Sequence, residues 1–144
     1  MKKIFDCHSH TMYSNLRLLD CINQPKHLID KAIELGLGGI AITDHECLSA
    51  HMEVNQYAKK LREKHPDFTI ALGNEIYLVD SLEEVKDNYQ SGITKFYHFI
   101  LLAKDSIGAE QIRRISSSAW EHSFYTGKME RVPTVKQDLA DIIG

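Results

Sequence analysis

His8-Ser9-His10 closes the short run Ile4-Phe5-Asp6-Cys7, which reads as a strand near the start of a chain of 144 residues. Side chains on a strand alternate faces, so both imidazoles point the same way, two rises or roughly 6.5 Å apart. At that spacing their nitrogens reach one metal ion or two adjacent ones, and imidazole suits zinc, manganese or iron. Thr43-Asp44-His45, Gly73-Asn74-Glu75 and Tyr97-His98 each end or line another apolar run. Alone, His8 and His10 are equally well a simple surface pair. With His45, Glu75 and His98 beside them they read as a hydrolytic metal site built on successive strands. Asp44 reads as a supporting residue that accepts backbone hydrogen bonds or orients an imidazole.

The elements that must position these groups alternate between apolar runs and helical patterns, which argues for β/α units and a mainly parallel sheet. Strands are expected over 3–7, 39–43, 68–72 with a continuation through 79, and 96–103. Asn23-Gln24-Pro25 reads as a helix start with Asn23 as the cap, and Leu28, Ile29, Ala32 and Ile33 form the inward face before a stop at Gly36. A second helix spans 49–64 and stops before Pro66. Its Lys59, Lys60, Arg62 and Lys64 read most simply as a solvated face rather than a DNA-contacting patch. Residues 80–94 read mostly as loop. A third helix over 109–124 turns Ile112, Ile115 and Ala119 inward, with Trp120 closing the outer layer. Thr134 is expected to cap a last short helix carrying Val135, Leu139 and Ile142.

Composition sets the bounds. The chain is 43% hydrophobic and 26% charged with a formal net charge of −3. That is one domain with enough apolar residues for a core, and its bulk charge advertises no nucleic-acid or membrane surface. No stretch resembles a signal peptide or a bilayer span. The three cysteines, Cys7, Cys21 and Cys47, form no CxxC pair, so a reduced, cytoplasmic protein is the economical reading. Cys7 is expected to face the core behind the site, and Cys47 to be a buried, incidental thiol. Tyr77 and Tyr97 flank the site in sequence, where they could line its wall, with core packing as their default role. His27, His51, His65 and His122 lack a surrounding motif and read as surface or packing residues.

His8-Ser9-His10-Thr11-Met12-Tyr13-Ser14, Ile42-Thr43-Asp44-His45, Gly73-Asn74-Glu75-Ile76-Tyr77 and Tyr97-His98-Phe99-Ile100-Leu101-Leu102-Ala103-Lys104 occur in this order. Together they resemble the polymerase-and-histidinol-phosphatase (PHP) domain, in the version found at the N-terminus of bacterial replicative DNA polymerase III alpha subunits. The resemblance implies a distorted seven-stranded β/α barrel that holds up to three metal ions, zinc or manganese, through nine ligand positions. By motif, His8 and His10 match the opening pair, His45 the second motif and Glu75 the third. His98 matches the histidine opening the following leucine-rich strand, and Asp20 the aspartate after the first motif, across a few extra residues. The family's later ligands, a cysteine or histidine and an Asp-x-His pair, have no counterpart before Gly144.

The expected fold is therefore α/β: a partial (β/α) barrel of about four strands with helices outside. On this resemblance residues 1–144 are expected to form the N-terminal part of a single PHP domain, with the remainder of the polymerase polypeptide as its partner. The implied activity is metal-dependent phosphoester hydrolysis by a metal-activated water, in polymerases of this type 3′–5′ exonucleolytic removal of a nucleotide from a DNA 3′ end. The competing readings are a catalytically silent structural module and a free-standing phosphatase acting on a phosphate monoester, as histidinol phosphatases do. An open barrel edge predicts self-association.

Overall fold

The computed structural model describes residues 3–17, 19, 21–88 and 95–144. In chain order the elements are β1 (Phe5–Ser9), a 3-10 turn (Met12–Leu16), α1 (Pro25–Glu34), β2 (Gly39–Ile42), α2 (Ala50–Leu61), β3 (Thr69–Val79) and α3 (Leu82–Asn88). They continue with β4 (Tyr97–Leu102), α4 (Ser106–Glu121), β5 (Phe124–Thr126), β6 (Met129–Arg131), β7 (Pro133–Val135) and α5 (Lys136–Ile143). The main sheet runs β1-β2-β3-β4, with β7 also on β3, while β5 and β6 form a separate hairpin. Among the described residues no strand joins the outer edges of β1 and β4.

Strand β3 organises the molecule because its 11 residues serve two sets of partners. Thr69 to Leu72 pair in parallel with β2, and Gly73 to Leu78 pair antiparallel with β4. Its last residues, Tyr77 to Val79, pair in parallel with β7. The side-chain period of two then separates two faces. Ile70 and Leu72 pack against a core of Ile29, Ala32, Ile40, Ile42, Ala50 and Val54 under α1 and α2. Ile76 and Leu78 join Leu101, Ile112 and Ile115 under α4. The alternate positions Gly73, Glu75 and Tyr77 face the other way. Ile29, Ile40, Ile42 and Ile115 are at most 1% exposed, and each contributes on the order of 1.5–3 kcal/mol to folding. Gly73 has no room for a side chain, since a Cβ there would sit 2.4 Å from the Leu101 carbonyl oxygen and 2.8 Å from Thr43 Cγ2.

The expected α/β architecture with outer helices forms, with several local corrections. Helix α1 is capped at Gln24 rather than Asn23, with no side-chain bond, and stops at Gly36 in the left-handed region (φ 74°). Part of the expected loop over 80–94 is helix α3: Ser81 Oγ accepts from the Glu84 amide at 3.4 Å, and Val85 is buried. The Ser81-x-x-Glu84 spacing is that of a capping box. Thr134 lies in β7 instead of capping α5, whose cap is Val135 with no side-chain bond. Strand β4 runs antiparallel to β3, so its first residues lie beside the C-terminal half of β3. Cys7 is exposed rather than facing the core. Between Asp6 and Ser9 the register of β1 on β2 slips, which breaks the strict alternation that placed Cys7 behind the site. Trp120 is 40% exposed, with its indole N–H donated to the Glu46 carbonyl at 3.2 Å rather than sealed into an outer layer.

Candidate metal centre

Glu75 lies at the middle of the inner face, its side chain only 4% exposed, and four imidazoles gather on it. Its Oε2 is 2.8 Å from His10 Nε2, 3.1 Å from His45 Nδ1 and 3.5 Å from His8 Nε2. Its other oxygen, Oε1, contacts His98 Nδ1. A buried carboxylate is costly unless donors or cations compensate it, and this one is enclosed by nitrogen ligands on both sides. Two overlapping sets result, His8–His10–Glu75 and His45–Glu75–His98, with ligand atoms within 4.8 Å of one another in each. Both have the donor types and spacing to hold a metal ion, and Glu75 belongs to both. Two oxygens directed at different imidazoles suit a carboxylate that bridges two ions.

Each arm is placed by a separate piece of backbone. His8 lies within the register slip of β1 between Asp6 and Ser9, a place where a bulge re-aims a side chain. The ring of His8 lies 4.7 Å from that of His10, closer than the spacing expected of a regular strand. His45 and Glu75 form an isolated parallel bridge: the Glu46 amide donates to the Glu75 carbonyl at 2.9 Å and the Glu75 amide to the Asp44 carbonyl at 3.1 Å. Glu46 then takes a left-handed φ of 41°, turning the chain away from the site. His98 stands opposite Tyr77 in the β3–β4 register. Its place near the start of its strand is consistent with the cluster because that strand is antiparallel.

A second layer of hydrogen bonds fixes the arms. His8 Nδ1 is 2.7 Å from Thr43 Oγ1. With the Nδ1 proton donated to Thr43, the Nε2 lone pair is directed at the cluster. Asp44, 1% exposed, accepts from the Thr11 amide at 2.6 Å, the Thr11 hydroxyl at 2.8 Å and the Ser14 hydroxyl at 2.7 Å. Ser14 Oγ in turn accepts from the His45 amide at 3.2 Å. The chain after His10 and the chain before His45 are thus locked to one another. Tyr77 Oη lies 3.0 Å from His45 Nδ1, so this tyrosine belongs to the site rather than to the core. Tyr97 is exposed. Glu46 is fully buried, and burial pushes its carboxyl up to about 8 against the opposing effect of the Asn74 amide.

Of the residues singled out by type and spacing, His8, His10, His45, Glu75 and His98 are brought together. Asp20 lies outside the described residues. Asp44 touches backbone and hydroxyl groups rather than an imidazole. His51 Nε2 donates to the Gly73 carbonyl of β3 at 2.8 Å, and His122 faces Asp138 at 3.3 Å. His27 and His65 are exposed, and Cys47 is buried without joining the cluster. Lys59, Lys60, Arg62 and Lys64 are all exposed. No helix among the described residues is long and apolar enough to cross a membrane. Thr43, Thr11 and Ser14 carry roles that their sequence alone did not signal, although all three lie inside the quoted motifs.

Known proteins bear on this geometry. Over 140 residues the chain is 55% identical to "Probable DNA polymerase YorL" of Bacillus subtilis, covering 95% of this chain and 11% of that protein. It is 33% identical over 119 residues to the DNA polymerase III subunit alpha of Helicobacter pylori, covering 82% of this chain and 9% of that protein. The chain thus spans about a tenth of the length of these polymerases. Among solved structures it resembles one described as "a putative metal-dependent phosphoesterase" from Bifidobacterium adolescentis, with a TM-score of 0.50 and 22% identity over 83% of this chain and 35% of that one. At that identity the likeness speaks for the fold alone. The model of the PHP domain matches residues 6–142, and the chain belongs to the PHP domain family.

Proposed function

We propose that this chain is the N-terminal part of the PHP domain of a DNA polymerase and carries a metal-dependent phosphoesterase site. On this reading His8, His10, His45, Glu75 and His98 hold zinc or manganese, with Asp20 as a further ligand. The observation that carries it is the Glu75 carboxylate, buried and shared between two sets of imidazoles. Divalent ions bound there supply charge opposite a phosphoryl group and a water of lowered pKa as nucleophile. The chain's own residues do the positioning. Thr43 sets the ring of His8, the Asp44–Ser14 pair sets the backbone of His45, and Tyr77 places its hydroxyl beside the cluster. The site needs no side-chain nucleophile.

Similarity to DNA polymerases supports a DNA 3′ end as substrate and 3′–5′ exonucleolytic removal as the reaction. The rest of the polymerase polypeptide is then the partner that supplies the remaining ligands of the family. The outer edges of β1 and β4, unjoined among the described residues, are where that partner or a second copy of this chain would add strands.

Release of nucleotides from a single-stranded oligonucleotide tests the reading. The chain with manganese is expected to free mononucleotides from the 3′ end, and His10→Ala to free none. Equal release by both would contradict the assignment. A metal-bearing chain that frees nothing would favour the structural module.

A further inference from the structure

Beside the cluster lies a cavity of about 150 Å³ whose walls come from four separate elements. Arg17 closes the 3-10 turn, Tyr77 comes from β3, Phe96 immediately precedes β4 and His98 lies near its start, and Glu130 and Arg131 come from β6. Tyr77 and His98 line both this cavity and the cluster, with their rings 4.9 Å apart and nearly perpendicular. A molecule whose phosphate sits among the imidazoles therefore presents its next group to this cavity.

The walls indicate what that group is. Arg17 lies with its guanidinium 5.2 Å from the Trp120 ring centre, and Arg131 with its own 5.6 Å from that of Phe96. Arg17 Nη2 donates to the Glu130 carbonyl at 2.6 Å, which ties the β5–β6 hairpin to the turn after His10. Its Nε is buried with no hydrogen-bond partner, a donor left for something else to satisfy. Two arginines and one glutamate give the walls a net charge of about one positive, too little for a polyphosphate. Flat cationic and aromatic surfaces are what an unstacked nucleobase packs on. A cavity of about this volume takes a single six-membered ring, and a base pair does not fit.

We infer that this cavity seats the one base attached to the phosphate held at the cluster, so that the substrate is a nucleotide ester with an unpaired terminal base. The inference rests on the phosphoesterase reading and narrows it, since a small sugar phosphate has no flat aromatic ring to stack there.

Calorimetric titration of the purified chain with thymidine 5′-monophosphate and with deoxyribose 5-phosphate tests it, once with manganese and once with EDTA. The two ligands share a phosphate and differ in the base. The expected result is that the nucleotide binds about tenfold more tightly than the sugar phosphate, in the range expected for stacking one base. Arg131→Gln and Phe96→Leu are each expected to erase most of that difference while leaving manganese binding unchanged. Arg131 Nε also donates to Thr126 Oγ1 at 2.9 Å, so Phe96→Leu covers the case in which the first variant loosens the hairpin. Equal affinity for the two ligands, or an unchanged preference in both variants, would overturn the inference. A wild-type chain that prefers the nucleotide but binds no manganese would instead defeat the metal reading and leave the base cavity standing.

Discussion

His45 and Glu75 are joined twice, by a backbone bridge between β2's extension and β3 and by a side-chain contact of 3.1 Å from Nδ1 to Oε2. The backbone contact fixes where the two Cα atoms stand, and the side-chain contact fixes where their tips meet. Residues 30 positions apart are therefore held as rigidly as neighbours on one strand. The other three imidazoles reach the same carboxylate from β1, the residue after it, and β4.

Thr43 is the residue through which β2 controls His8. Removing its hydroxyl by Thr43→Val leaves His8 Nδ1 without its 2.7 Å partner and frees the ring to rotate. Manganese affinity is expected to fall by about 10–100-fold, the usual cost of losing a supporting hydrogen bond to a metal-ligating histidine. The folded state should lose only about 1 kcal/mol. Metal titration and urea unfolding of the same variant separate the two effects.

Asp44 has the opposite profile. It is buried under three donors from Thr11 and Ser14, and Asp44→Ala strands all three. A stability loss of about 3 kcal/mol or more is expected from buried donors left unsatisfied. The urea midpoint should fall accordingly, and Asp44→Asn, which keeps one acceptor oxygen, should fall less.

His51 gives the molecule a pH dependence. Its pKa is lowered by burial, against the opposing pull of the Gly73 carbonyl. A depressed folded pKa means that the unfolded chain takes up the proton first. The contribution is fully present above the unfolded value, about 6.5, and is lost as pH falls through the folded value. His51→Gln keeps a donor for Gly73 and cannot titrate. Its stability should decline less than that of the wild type between pH 7.5 and pH 5.5 in urea titrations, and an equal decline would contradict this account.

How much of this was written in the sequence depends on the range of the interaction involved. His8, His10, His45, Glu75 and His98 stood out because each sits at the end or start of an apolar run, where a local pattern is enough. The outward helices were legible for the same reason, as in Ile112, Ile115 and Ala119 on α4. The direction of β4 was not, because an apolar run reads alike in either sense and only the pairing Tyr77 with His98 decides it. Cys7 was misplaced by a one-residue slip that alternation cannot foresee. Helix α3 was hidden by the polar residues following it, although Ser81 and Glu84 carried its start. Strands of three residues, as in β5, β6 and β7, are too short to show a period. Thr43, Thr11 and Ser14 act across 30 or more positions of chain, so their roles appear only once β1 lies beside β2.

Metal content of the purified chain, measured by mass spectrometry after dialysis against manganese and then against metal-free buffer, tests the central assignment most directly. Glu75 belongs to both candidate ligand sets. The wild-type chain is predicted to retain metal in proportion to protein, and Glu75→Gln to retain less than about a tenth as much, a deficit at least as large as that from losing a supporting group. Equal retention by the two chains, or none by the wild type, would contradict the account.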